Sequence, residues 1–116
     1  MYIFGGKSKE NSAPSNELWI LRIGRKPLQW FKPVVTGRPP SPRCAHTMNY
    51  FEPRNLIIVH GGMNDYNTES FVLDDTFILD LKKLEWKEVK LWSKTENFVV
   101  QKRYGHQAQI SCKKIV

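Results

Sequence analysis

At 116 residues, with 41% hydrophobic and 12% aromatic side chains and a net charge of +7, the chain has the apolar content to build a core. No apolar run approaches the roughly 20 residues that a membrane helix needs, and Met1 opens no secretory signal, so membrane insertion is not expected. Cys44 and Cys112 stand alone in unlike contexts, which argues against a disulfide framework and against a Cys-x-x-Cys metal site.

Short β-branched and aromatic runs alternate with clusters of Gly, Pro, Asn and Ser, and no stretch sustains a helical period. In chain order, strands are predicted at about 2–4, 17–23 and 30–35, then at 45–51, 56–60, 75–81 and 86–91. A further strand is predicted at 106–111, and residues 113–116 open another. With four strands named a to d per unit, the first group reads b, c, d and the second reads a, b, c, d.

One order of residues is written twice. Tyr2-Ile3-Phe4-Gly5-Gly6 is followed by Glu17-Leu18-Trp19-Ile20-Leu21, by Trp30 and by Arg43-Cys44-Ala45-His46. Between 56 and 60 residues later, Ile58-Val59-His60-Gly61-Gly62 is followed by Asp75-Thr76-Phe77-Ile78-Leu79, by Trp86 and by Arg103-Tyr104-Gly105-His106. Four strands in roughly 50 residues are the mark of a propeller blade. The double glycine after an apolar strand, the aromatic in the next strand, the tryptophan after a short turn and the closing Arg-x-x-His resemble the kelch repeat over essentially the whole chain. The chain departs from that pattern at Ala45, which stands where the second copy has Gly105, and in a longer interval from Trp86 to His106 than from Trp30 to His46.

The expected fold is all-β: a kelch-type β-propeller fragment of four-stranded antiparallel blades, about two blades plus a partial strand. Residues 1–44 are read as a blade lacking its first strand, 45–105 as a second blade, and 106–116 as the first strand and the start of the next strand of a third. A closed propeller takes about four to eight blades. Alone, the chain is therefore expected to leave sheet edges and apolar blade faces uncovered.

Features common to both copies are expected to be structural. Gly5, Gly6, Gly61 and Gly62 give backbone with access to positive φ. Trp19, Trp30, Phe77 and Trp86 supply apolar area for one sheet to bury on the next. Arg43, His46, Arg103 and His106 hydrogen-bond backbone groups at blade junctions, as the kelch resemblance implies. Features that differ between the copies are expected to carry recognition. In an up-and-down blade the b-to-c loops at 7–16 and 63–74 share one end with the d-to-a loops at 36–42 and 92–102, and variable loops on a rigid frame describe a binding surface. Trp92 and Phe98 have no aromatic counterpart in the first copy and are the candidate anchors. Arg38, with Asp65 and Tyr66 of the 63–74 loop, are the candidates for orienting a partner.

Catalytic, cofactor-binding and metal-binding residues are not expected. The nearest acidic cluster is Asp74-Asp75 with Asp80, and Asp75 and Asp80 frame a strand as turn and edge residues do. The positive charge is lopsided: residues 1–58 carry nine Lys or Arg against three acids, and residues 59–116 carry nine against eight. Nucleic acid is not the expected partner: such binding calls for basic residues interleaved with exposed aromatics on one groove-shaped surface, and a charge cluster by itself is more often a solvated face. The expected function is a non-catalytic protein–protein interaction scaffold. Its partners are other proteins, together with further blades of the same propeller or neighbouring subunits. Composition and isolated cysteines agree with a cytoplasmic setting, and similarity to kelch proteins implies a cytoskeletal or ciliary assembly, alternatively the substrate-recognition module of a cullin-type ubiquitin ligase, or an enzyme-associated propeller.

Overall fold

Two sheets packed face to face around one core dominate the described part of the chain. The computed structural model describes residues 1–10, 13–66, 69–90, 102–111 and 114–115. Among these residues there is no α-helix. In the first sheet, β1 (Tyr2–Phe4), β2 (Leu18–Arg22) and β3 (Gln29–Phe31) pair antiparallel in chain order, with Phe4 opposite Leu18 and Leu21 opposite Trp30.

After β4 (Thr36–Gly37), the second sheet is a meander of β5 (Thr47–Phe51), β6 (Leu56–His60), β9 (Thr76–Asp80) and β10 (Glu85–Val89). Each strand pairs antiparallel with the next, with Tyr50, Ile57, Leu79 and Trp86 in one row across the sheet. The short turns are locally encoded. A 3-10 turn at Glu52–Arg54 closes onto Asn55, which sits at φ +52°. Asp80 Oδ1 accepts the backbone N–H groups of Lys82 and Lys83 at 2.9 and 3.1 Å, so a side chain satisfies the turn between β9 and β10.

The strand order is that of a propeller blade, but three details depart from the sequence expectation. Residues 63–74, read as a loop, hold a hairpin of β7 (Met63–Tyr66) and β8 (Glu69–Val72). Thr36–Gly37, read as part of a connector, joins the outer edge of the second sheet in parallel with Glu85 and Trp86. The approach there is close enough that a side chain on Gly37 would meet the Trp86 carbonyl. The strand read at 106–111 is regular only at β11 (Ile110–Ser111), which pairs with β12 (Lys114–Ile115). Residues before it are held by side-chain contacts instead: Asn49 donates to the Ala108 carbonyl at 3.1 Å, and Thr47 Oγ1 lies 3.2 Å from His106 Nε2.

The core lies between the two sheets. Phe4 and Leu18 from the first meet Ile57, Val59, Phe77, Leu79 and Trp86 from the second, with Tyr2, Val35, Met48 and Leu81 at the margin. Strand alternation explains the set. Residues two apart on β6, β9 and β1 share a face, and that face is apolar where the sheets meet. The Phe4 and Trp86 rings lie 5.0 Å apart, centroid to centroid.

Candidate functional site

The loop-bearing end of the two sheets is built on one hydrogen-bond frame made twice. The Gly5 N–H donates to the Glu17 carbonyl and the Gly61 N–H to the Asp75 carbonyl, both at 3.1 Å. Gly6 donates to the Arg43 carbonyl and Gly62 to the Arg103 carbonyl, both at 2.8 Å. Ser15 returns to the Gly6 carbonyl at 2.8 Å, and Leu73 to that of Gly62 at 2.9 Å. Arg43 and Arg103 then donate to the Ser15 and Leu73 carbonyls at 3.1 and 3.0 Å. Gly5 and Gly61 sit at φ +68° and +65°, and a Cβ at either would stand 2.7 or 2.8 Å from an arginine carbonyl oxygen. Glycine is required there for both conformation and space. The sequence departure at Ala45 falls on the same rule: Ala45 is at φ +56° and Gly105 at φ +61°, so both copies use left-handed backbone.

Arg43 ties the two frames together. Its backbone bonds to Gly6 and Ser15 of the first, while its fully buried side chain enters the second. Nη1 donates to the Gly61 carbonyl at 3.0 Å and to Asp75 Oδ1 at 2.5 Å; Nη2 donates to Asp75 Oδ2 at 2.9 Å and to Ser41 Oγ at 3.1 Å. Nε donates to the Ser41 carbonyl at 3.1 Å, and the guanidinium lies 5.6 Å from the Phe77 ring centre. A bidentate carboxylate and further acceptors are what a buried guanidinium needs to offset its lost hydration. Asp75 and Asp80 do frame β9, Asp75 one residue before it and Asp80 at its end, but Asp75 is also the acceptor at the junction, whereas Asp80 caps a turn. The signal was present in the sequence, since an acid, Glu17 or Asp75, opens the stretch that follows the double glycine in both copies.

The histidines pack as rings. His46 meets Phe4 edge-on at 5.6 Å, and His106 meets His60 edge-on at 5.4 Å. His60 Nδ1 lies 2.8 Å from Thr76 Oγ1. Burial holds all three imidazoles below the usual histidine range, reinforced by Arg43 at His46, by Arg103 at His60 and by His60 at His106. Of the four residues expected to bond backbone at the junction, Arg43 does so through its side chain, whereas the His106 ring lies against the Thr47 hydroxyl. Among the described residues, no three His, Cys, Asp or Glu side chains converge as a metal site would require.

Both b-to-c segments spring from this frame, and they differ. The first crosses from Gly6 to Ser15; the second is the β7–β8 hairpin, anchored by reciprocal 2.9 Å backbone bonds between Cys44 and Met63. Asp65 and Tyr66 are on β7. Arg38 is exposed and lies one residue beyond β4, at the outer edge of the second sheet, so it stands on a different stretch from the hairpin. Trp92 and Phe98 lie outside the described residues. The apolar landmarks divide by copy: Phe77 and Trp86 are buried, whereas Trp19 and Trp30 are exposed.

A family model described as the KLHDC2/KLHL20/DRC7 Kelch-repeats domain matches residues 1–116. Over 86 residues the chain is 32% identical to Dynein regulatory complex subunit 7 of Chlamydomonas reinhardtii, covering 74% of this chain and 7% of that protein. It is 29% identical over 112 residues to Tip elongation aberrant protein 1 of Schizosaccharomyces pombe, covering 97% and 9%. It is 31% identical over 112 residues to Adagio protein 3 of Arabidopsis thaliana, covering 95% and 16%. The chain thus spans less than a fifth of the length of each of these relatives.

Proposed function

The chain belongs to the kelch-repeat family, and we propose that it supplies blades to a propeller that serves as a non-catalytic scaffold in a multiprotein assembly. Kelch repeats are protein-interaction modules, and the observation that carries the scaffold reading is the contrast between frame and loop. The two Gly-Gly frames match bond for bond, yet the segments they close differ: the second holds a β-hairpin, whereas the described residues of the first hold no strand. A rigid base with variable loops is the arrangement used for recognition. Similarity to a dynein regulatory complex subunit and to a tip elongation protein supports a cytoplasmic assembly of cytoskeletal or ciliary kind. In this reading residues 1–44, 45–105 and 106–116 belong to three successive blades, and Arg38, Asp65, Tyr66, Trp92 and Phe98 face the partner.

The test begins with capture from a cytoskeletal extract and identification of the bound protein. That protein is then titrated against wild type and against a variant with Asp65, Tyr66, Trp92 and Phe98 all changed to Ala. Loss of about 2 kcal/mol, or roughly thirtyfold in affinity, is expected if these residues include anchors, with the thermal melt little changed. Unaltered affinity would place the partner on another face.

A further inference from the structure

The repeat allows each residue of one sheet to be compared with its counterpart in the other. Val59, Phe77, Leu79 and Trp86 are 0%, 4%, 0% and 2% exposed because the first sheet covers them. Their counterparts on the first sheet are Ile3, Trp19, Leu21 and Trp30. Register places these four on one face: Ile3 pairs with Trp19, Leu21 pairs with Trp30, and Trp19 and Leu21 are two apart on β2. The opposite face, with Phe4 and Leu18, is the one turned to the second sheet. Ile3, Trp19 and Trp30 are 39%, 36% and 51% exposed, and Leu21 is half-buried. Residues that close the core in one copy thus form an open apolar face in the other, rimmed by a polar site.

The second copy also shows what arrives with such a cover. The covering unit sends Arg43 across the junction to the Gly61 carbonyl and the Asp75 carboxylate. In the first copy the equivalent acceptors are the Gly5 carbonyl and the Glu17 carboxylate. Glu17 is held at the edge of the open face by Trp19 Nε1 at 3.0 Å and Lys32 Nζ at 2.9 Å, both exposed contacts. At the other end of the chain, Arg103 repeats the backbone setting of Arg43, with the same bonds to Gly62 and Leu73 that Arg43 makes to Gly6 and Ser15.

We infer that the face of Ile3, Trp19, Leu21 and Trp30 receives the second sheet of another copy of this chain, head to tail, and that the incoming copy delivers Arg103 to the Glu17 carboxylate and the Gly5 carbonyl. The inference rests on the reading of the chain as a supplier of propeller blades. It adds the face, the charge pair and the direction of docking. The two surfaces differ, so the contact is heterologous: it closes into a ring if the rotation between copies allows and otherwise extends into a filament.

Sedimentation equilibrium of the 116-residue chain at micromolar concentration tests it. Wild type is expected to self-associate, with Glu17→Arg and Arg103→Glu each weakening association about tenfold and Trp19→Ser with Trp30→Ser weakening it further. An equimolar mixture of the two charge variants is expected to recover assembly with alternating copies, since the face altered by Glu17→Arg meets the end altered by Arg103→Glu and the unaltered Glu17 of one variant meets the unaltered Arg103 of the other. The double variant Glu17→Arg, Arg103→Glu restores assembly of the wild-type kind, and it keeps the test decisive should a single variant fail to fold. A monomeric wild type would overturn the inference, as would association indifferent to both charges or a double variant no better than the singles. The loop titration of the preceding section leaves Glu17 and Arg103 untouched, so either reading can fail while the other stands.

Discussion

Replacing Arg43 by Met is the sharpest probe of the junction between the two frames. The substitution roughly conserves chain length but removes every donor that Gly61, Asp75 and Ser41 receive from the guanidinium. Breaking a buried ion pair by deleting one partner costs about 3–5 kcal/mol. Because the Asp75 side chain keeps 25% of its exposure, water recovers part of its lost solvation, and the lower end, about 3 kcal/mol, is expected here. Asp75→Asn leaves the guanidinium buried with one weaker acceptor and is expected to cost about 2 kcal/mol. The double variant is expected to cost clearly less than the sum, with a coupling of about 1–3 kcal/mol. Arg43→Lys should recover less than half the loss, since an ammonium cannot make the planar fork. Urea unfolding followed by tryptophan fluorescence, at concentrations below self-association, measures all four corners. A cost under 1 kcal/mol for Arg43→Met, or additive single effects, would show that the pair does not hold the sheets together.

Further outcomes follow from burial, backbone and charge. Trp86→Ala should cost about 3–5 kcal/mol in the same assay, whereas Trp30→Ala, on the open face, should cost less than about 1 kcal/mol in the dissociated chain; equal costs would mean the two faces are not distinguished as described. Ala45→Gly should stabilise, because it removes left-handed strain of about 1–2 kcal/mol at the expense of roughly 0.4–1 kcal/mol of unfolded-chain entropy, and a lowered melting temperature would refute the assignment at φ +56°. His46, His60 and His106 titrate lower in the folded chain than in the unfolded one, so the unfolded state takes up protons first as pH falls. Stability should therefore be full above the ordinary histidine pKa and decline as pH drops through the depressed values; melting temperatures across pH 8 to 5 that rise on acidification would contradict this.

Much of the architecture was legible because its determinants are local or repeated. The strands at Tyr2–Phe4 and Leu56–His60 match the apolar runs that announced them, since each is a short run bounded by glycine or turn residues. What escaped has non-local causes. The parallel pairing of Thr36–Gly37 with Glu85 and Trp86 depends on where the outer strand of the other sheet comes to rest, and nothing around Thr36 encodes that. The partnership of Arg43 with Asp75 joins residues from different units, so inspection within one unit cannot find it. The exposure of Trp30 has the same origin: identical side chains at identical repeat positions differ in burial because only one of them has a neighbouring sheet. Of the candidate partner residues, Asp65 and Tyr66 sit on a hairpin that the sequence does not announce, because polar Asn64 and Asp65 interrupt β7 and the β-forming run of β8 is only Phe71 and Val72.

The contact between Phe4 and Trp86 has a bearing on how the chain is made. A ribosome adding about 5–20 residues per second releases Phe4 on the order of ten seconds before Trp86 is even synthesised. Throughout that interval the first sheet has neither its packing partner nor the arginine bridge completed by Asp75. Nascent chains stalled after β5 should accordingly be protease-sensitive and chaperone-bound, and stalling far enough downstream for Val89 to clear the ribosome should reduce both properties together. Folding here waits on the arrival of the neighbour, and sequence separation of this kind slows the search as well. For this repeat, vulnerability during synthesis is set less by the strength of any one sheet than by the delay before the next one appears.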